Sequence, residues 1–355
     1  MKKEMQNYEF GVSYFSNRFK KHLITDLKAL KKDGFTSILH TFSEEDFLFN
    51  PETVKDLVKV SKDYGFSVWI DPWGFGKAFG GEALSKFLLD NYDAWQVLSN
   101  GKKIPVACLN NPKFYDYMIK WIDSVLEMDI DCIFWDEPHF AITNWNKLIN
   151  EKNTAIWGCR CNICQKKYRE SYNKSMPYDL KQVAEFRSIS IMNFLKKLSS
   201  YAKKNARKKI KISICLISAD NPYLRSASFE DIAKIKEVDG LGVDPYWFWI
   251  KEFTKKSINV YEHNYKFTKH VFDVCSKYGK EPHFWLQGFK IKKGEEYELV
   301  QAINAAKDAK IKSLWVWGYD GCSMMSSLKS DEPEKTWKTI VKEFKKIKNN
   351  SKIAR

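Results

Sequence analysis

The chain has 355 residues, of which 44% are hydrophobic and 29% charged, with a formal net charge of +15. That length suits one α/β barrel, which takes about 250 residues or more around a single core, and the chain is too polar throughout to supply a membrane span. The lysines are spread along the outward faces of expected helices and are not interleaved with aromatics in one segment, so the charge reads as a solvated surface and argues against a nucleic-acid partner.

The amino terminus, MKKEMQNYEFGVSYF, has two lysines but neither the apolar run nor the small-residue cleavage site of a secretory signal, so a cytoplasmic protein is expected. Eight cysteines are too few for a disulfide framework in a chain this long. The basic end, KEFKKIKNNSKIAR, reads as a helix running into a charged tail.

Short apolar runs alternate with longer amphipathic stretches along the whole chain, the pattern of repeated βα units. The expected strands are Phe10 to Tyr14, Ser37 to Thr41, Ser67 to Pro72, Cys132 to Asp136, Lys211 to Ile217, Gly240 to Pro245, His283 to Gln287 and Ser313 to Trp317. All are nearly continuously apolar, as strands covered on both faces should be. Asn50-Pro51-Glu52 opens one intervening helix and Tyr64-Gly65 closes it, while Asn111-Pro112 opens another. Two connections are long, from Trp73 to Cys108 and from Glu137 to about Pro177. The fold expected is therefore α/β, a single (β/α)₈ TIM barrel over residues 1–350, with a zinc-binding loop insertion at about 140–178 and an active site built from the long loops. A doubly wound open sheet competes, but GVSYFSNRF lacks the glycine-rich turn that would announce it. No Walker-type loop, nucleophile elbow or HExxH occurs either.

Four expected strands end in carboxylates and aromatics: Asp71-Pro72-Trp73, Trp135-Asp136-Glu137-Pro138-His139, Asp244-Pro245-Tyr246-Trp247 and Trp317-Gly318-Tyr319-Asp320. Turn chemistry and packing explain any one of these, but their recurrence at the functional end of a barrel points to carbohydrate. Glycoside hydrolysis needs one carboxylic acid to protonate the leaving oxygen and usually a second carboxylate, and indole faces suit sugar rings. Glu137 is the candidate acid, because it follows the apolar run Cys132 to Trp135 and adjoins Asp136, and two like charges push at least one pKa upward. Asp71, Trp73, His139, Tyr246, Trp247, Trp285, Gln287, Trp317 and Asp320 are the candidate substrate contacts.

Cys159-Arg160-Cys161-Asn162-Ile163-Cys164 is a thiolate cluster that needs one more ligand for tetrahedral zinc, and Cys108, at the end of the other long loop, is the candidate. Cys132, Cys215, Cys275 and Cys322 read as small buried hydrophobes.

The run Cys108-Leu109-Asn110-Asn111-Pro112, the strand ending Trp135-Asp136-Glu137 and the Cys-x-Cys-x-x-Cys cluster together resemble glycoside hydrolase family 42, the zinc-containing β-galactosidases, and still more its uncharacterised barrel relatives. The resemblance covers roughly residues 95–170. It implies a glycosidase barrel, an acid/base role for Glu137, and one structural zinc on Cys108, Cys159, Cys161 and Cys164. The chain departs from that family twice: Asp136 precedes Glu137 where the family has asparagine, and Trp285-Leu286-Gln287-Gly288 stands where the nucleophilic glutamate would end strand 7. The second group is therefore expected to be Asp244, with Asp71 or Asp320 in reserve. The Asp136-Glu137 pair also resembles hexosaminidases in which the substrate's acetamido group attacks, and Asp136 would then orient that group. The leading expectation is a glycoside hydrolase acting on an oligosaccharide or glycoconjugate, with homo-oligomerisation open. The alternative is a non-catalytic carbohydrate-binding TIM barrel.

Overall fold

Residues 8–15, 17–141, 156–219 and 227–353 are described by the computed structural model. Part of the expected zinc-binding insertion, residues 142–155, lies outside the described residues, as do 1–7 of the amino terminus and 354–355 of the basic tail.

Eight parallel strands close into a barrel: β1 (Glu9–Tyr14), β2 (Ser37–Thr41), β3 (Ser67–Asp71), β4 (Cys132–Trp135), β5 (Lys211–Leu216), β6 (Gly240–Val243), β7 (Glu281–Gln287) and β8 (Ser313–Trp317), with β8 returning to pair with β1. The fold is the (β/α)₈ barrel expected. Four strands stop a residue or two before their expected ends, because Pro72 and Pro245 have no N–H for a ladder and the Asp136 carbonyl accepts from Gly80 N (3.0 Å) instead of from a neighbouring strand. Asn111 accepts from Lys113 N at the start of the helix Pro112–Leu126, and the helix Pro51–Asp63 begins on its proline. Gly65, just past that helix, takes φ 73°, a conformation open to glycine at little cost.

The barrel interior follows from the two-residue period of the strands. Leu39, Trp69, Phe134, Cys215, Trp285 and Trp315 point inward and form a cluster of their own, apart from the larger core between strands and helices. The Trp69 and Trp315 rings lie 4.2 Å apart between centroids, and Trp285 lies 5.0 Å from Trp315. Rings of this size fit only because glycines face them: a Cβ on Gly11 would stand 2.2 Å from the Trp315 ring, and one on Gly242 1.8 Å from the His283 imidazole. His283 accepts from Trp285 Nε1 at Nδ1 (3.1 Å), so its Nε2 carries the proton and donates to Ser213 Oγ (2.7 Å). Burial pushes its pKa down to about 3, which keeps the ring neutral. Carried one step further, the same alternation turns Asp71, Asp136, Asp244 and Trp317 inward above this aromatic plug.

The connection after β3 carries a short helix (Lys86–Asp90) and an antiparallel hairpin of Trp95–Val97 with Lys103–Ala107. The connection after β4 crosses that hairpin, donating Arg160 N to Val97 O (2.7 Å) and accepting from Ser99 N at Trp157 O (2.8 Å). No helix among the described residues is long and apolar enough to cross a membrane.

Gly242→Ala should destabilise the protein by on the order of 1–3 kcal/mol, because a methyl group there overlaps a buried imidazole fixed by two hydrogen bonds. Urea unfolding checks this, and adding His283→Ala should recover part of the loss. An unchanged midpoint for the single variant would show that the interior is not packed as described.

Candidate active site

A cavity of about 630 Å³ opens at the carboxyl ends of the strands, within the range of small-molecule sites. Asp136 and Glu137 reach it from the end of β4, Asp244 from β6, Trp317 from β8, and Trp73 from the connection after β3. His139 and Tyr246 also line it.

The carboxyl groups converge. Asp244 and Glu137 face the same space, and Asp244 Oδ1 accepts from Ser218 Oγ (3.2 Å). Burial, then the charges of Glu137 and Asp136, raise the Asp244 pKa well above the usual carboxylate range. Asp136 is raised by desolvation, then by Glu137 and Glu82. Asp71 sits beneath them, fully buried, with neither carboxylate oxygen hydrogen-bonded among the described residues; burial and then Asp136 and Glu137 raise it too. The aromatic plug below these groups removes the water that would screen them.

Glu137 adopts φ 39°, a left-handed backbone that glycine or asparagine takes more readily. Hydrogen bonds on both sides hold it there: Glu137 N donates to Cys215 O (3.1 Å), and His139, whose own N donates to Ala78 O (3.0 Å), has Nδ1 2.6 Å from the Glu137 carbonyl. Gly80 is forced by the same crowding, since a Cβ there would lie 2.5 Å from Asp136 Oδ2. The loop bearing Gly80 is fixed in turn by the buried Glu44, which accepts from Gly76 N (2.8 Å), Ser85 Oγ (2.5 Å) and Phe87 N (2.7 Å). Sequence reasoning passed over Glu44 because, although it follows closely on β2, it reads as one of three acidic residues in the first turn of a short capped helix.

Five expected contacts lie outside the cavity lining. Trp285 belongs to the barrel plug. Gln287 accepts from Phe248 N at Oε1 (2.9 Å) and donates from Nε2 to Phe289 O (3.0 Å), and Trp247 donates Nε1 to the buried Glu298 (2.7 Å); both brace the helix Phe248–Thr254. Asp320 accepts from Ser323 Oγ (2.7 Å) in a turn. Asp71 lies below the lining, within the carboxyl cluster. Conversely, the cavity is lined by residues that no motif announced: Lys77, Phe79 and Glu82 after β3, Trp249, Ile250 and Phe253 on the helix after β6, and His263, Phe267, Phe289 and Leu328.

Cys108, Cys159, Cys161 and Cys164 meet where the two long connections cross, all buried, with every sulfur within 4.8 Å of the others. The separations of 3.5 Å (Cys108 to Cys164) and 3.6 Å (Cys108 to Cys161) approach the roughly 3.8 Å edge of a tetrahedron of sulfurs about 2.3 Å from a central ion. Asn110 Nδ2 and the Cys161 amide both point at sulfurs of the cluster, at 3.4 Å each, as donors to thiolates do. The cluster is suited to a metal ion, and four buried thiolates need such a cation to coexist.

No family model matches the chain, and no curated protein matches it in sequence. Solved structures of several glycoside hydrolases share its fold. The endo-1,4-β-mannanase of Rhizomucor miehei superposes with a TM-score of 0.64 at 10% identity, covering 98% of this chain and 97% of its own. The catalytic domain of the β-amylase of Paenibacillus polymyxa gives 0.63 at 10% identity, with 95% and 98% covered. A GH5_18 protein of Streptomyces cattleya in complex with GlcNAc gives 0.57 at 10% identity, with 95% and 79% covered. What the chain shares with them is the fold, a closed (β/α)₈ barrel.

Asp71→Asn should raise thermal stability, and the gain should depend on pH. The folded-state pKa of Asp71 lies above its unfolded value, so the parent is stabilised by protonation at low pH and loses that contribution as pH rises toward the folded pKa, whereas asparagine does not titrate. Melting curves should therefore nearly coincide at pH 4 and separate progressively toward pH 8. A pH-independent difference would mean that Asp71 is not held in an ionisable, desolvated cluster.

Proposed function

We propose that the protein is a glycoside hydrolase in which Glu137 protonates the departing glycosidic oxygen and Asp244 acts as the second carboxylate. The observation that carries this reading is the convergence of Glu137 and Asp244 on one aromatic-walled cavity at the carboxyl ends of the strands. A general acid must reach its substrate still protonated near neutral pH, and burial among other carboxyls is what keeps a carboxylic acid in that state. Retaining pairs stand about 5–5.5 Å apart and inverting ones about 6.5–9.5 Å, so the separation of the two groups around a bound sugar selects the mechanism. Gln287 has no negative charge and is occupied by Phe248 and Phe289, so no nucleophile is assigned to the end of β7. The glycosidase barrels that share the fold support the reaction class.

A second route, in which a substrate acetamido group attacks and Asp136 orients it, is favoured by the adjacency of Asp136 to Glu137. The GH5_18 neighbour with GlcNAc bound places N-acetylated sugars in the substrate panel. The test is hydrolysis of aryl glycosides of the gluco, galacto, manno and N-acetylgluco series by the parent and by Glu137→Gln. Turnover should fall about 10²- to 10⁴-fold in the variant for basic leaving groups and less for nitrophenolate. Binding of sugar with no turnover on any series would instead assign a non-catalytic carbohydrate-binding barrel.

The metal is proposed to be zinc, held by Cys108, Cys159, Cys161 and Cys164, in keeping with the motif likeness to the zinc-containing β-galactosidases. Its role is structural: four protein sulfurs complete the tetrahedron and leave no open position for substrate. Elemental analysis of protein purified without added metal should find close to one zinc per chain, and Cys161→Ser should lose it and lower the melting temperature. Full stability without metal would overturn the assignment.

A further inference from the structure

The cavity lining divides by chemistry. Glu82, Asp136, Glu137, Asp244, Lys77 and His139 gather around the ends of β3, β4 and β6. An apolar stretch of lining is supplied by Trp249, Ile250 and Phe253 on the helix after β6, together with Ile217, Phe267 and Leu328. Among the described residues the polar groups in that stretch are few: Ser218 already donates to Asp244, and His263 packs edge-on against Phe267 with centroids 5.1 Å apart. A second sugar placed there would bury hydroxyls against isoleucine, leucine and phenylalanine, and a hydroxyl stripped of water without a partner weakens binding. Indoles alone suit sugar rings, but branched aliphatic side chains among them do not supply the hydrogen bonds that ring edges need.

The apolar side is also built to stay in place. Trp249 stacks on Phe253, with centroids 5.6 Å apart and planes at 21°. Their helix is tied down at its start by Gln287 through Phe248 N, and along its length by Lys251, which donates to Glu298 (2.6 Å) and Glu295 (2.8 Å). Trp249 nonetheless keeps 42% of its surface exposed, an exposed aromatic fixed at the mouth of a cavity.

We propose that this wall is an aglycone site for an apolar group, and that the preferred substrates are glycosides of alkyl or aryl alcohols in place of linear oligosaccharides. The proposal rests on the glycosidase reading for the position of the sugar at Glu137 and Asp244, and it names what lies beyond the scissile oxygen. An alkyl chain leaving that oxygen crosses Trp249, Ile250 and Phe253 and displaces water from apolar surface at every carbon.

Binding can be measured without turnover, using alkyl 1-thioglycosides, from methyl to hexyl, of the gluco, galacto, manno and N-acetylgluco series in both anomers, by titration calorimetry on the parent protein. For the glycone that binds, affinity should rise about threefold to fourfold per methylene, the increment for a carbon fully withdrawn from water, and binding should carry a negative heat-capacity change. Trp249→Ser and Phe253→Ser, on the partly exposed face of the helix, should each reduce the hexyl-to-methyl affinity ratio severalfold. A flat chain-length series, equal or tighter binding of the matching disaccharide, or no binding by any member would overturn the aglycone site. A steep series together with no hydrolysis of the aryl panel would keep the apolar site and sink the hydrolase reading, whereas hydrolysis with a flat series would do the reverse.

Discussion

The chemistry of this protein depends on one geometric constraint: in a closed barrel every second residue of each strand must point into a space that has no exit except at its ends. Below, that space is filled by Trp69, Phe134, Trp285 and Trp315, accommodated by Gly11 and Gly242. At the upper rim the same alternation delivers Asp71, Asp136 and Asp244, which therefore face one another over a dry aromatic floor. Carboxyl groups in that position resist ionisation. Packing and acid strength are in this sense one arrangement.

The loops are organised around a second device. Cys108 on one long connection and Cys159, Cys161 and Cys164 on the other come together beside the hairpin that both share, and Glu44 pins the remaining stretch that carries Lys77, Phe79, Gly80 and Glu82. The rim of the cavity is thus held from below by strands and from the side by sulfur and a buried carboxylate. This division explains how a site made largely of loop residues keeps Glu137 and Asp244 facing one cavity.

Much of this was legible in the residues because it is periodic or because it is punctuated. Apolar runs of five or so residues with proline or aspartate at their ends gave all eight strands, and strand ends gave the carboxyl cluster, since the barrel forces such positions together whatever the sequence between them. The spacing of the four cysteines was likewise readable, as metal chemistry restricts it. Trp247, Trp285 and Gln287 were misplaced for a reason of parity and depth: an indole or amide near a strand end reads the same whether it meets solvent, braces a neighbouring helix, or fills the barrel. The apolar wall left no trace, because Ile250, Phe253, Phe267 and Leu328 lie on separate elements, and a hydrophobic residue that lines a cavity has the composition of one that fills a core.

The backbone of Glu137 is at odds with its side chain. A glutamate held at φ 39° occupies a conformation that costs it on the order of 1 kcal/mol and that glycine would occupy almost freely. Replacing this glutamate by glycine would therefore relax the chain while removing a carboxylate from the cavity, so side chain and backbone pull in opposite directions at this one position.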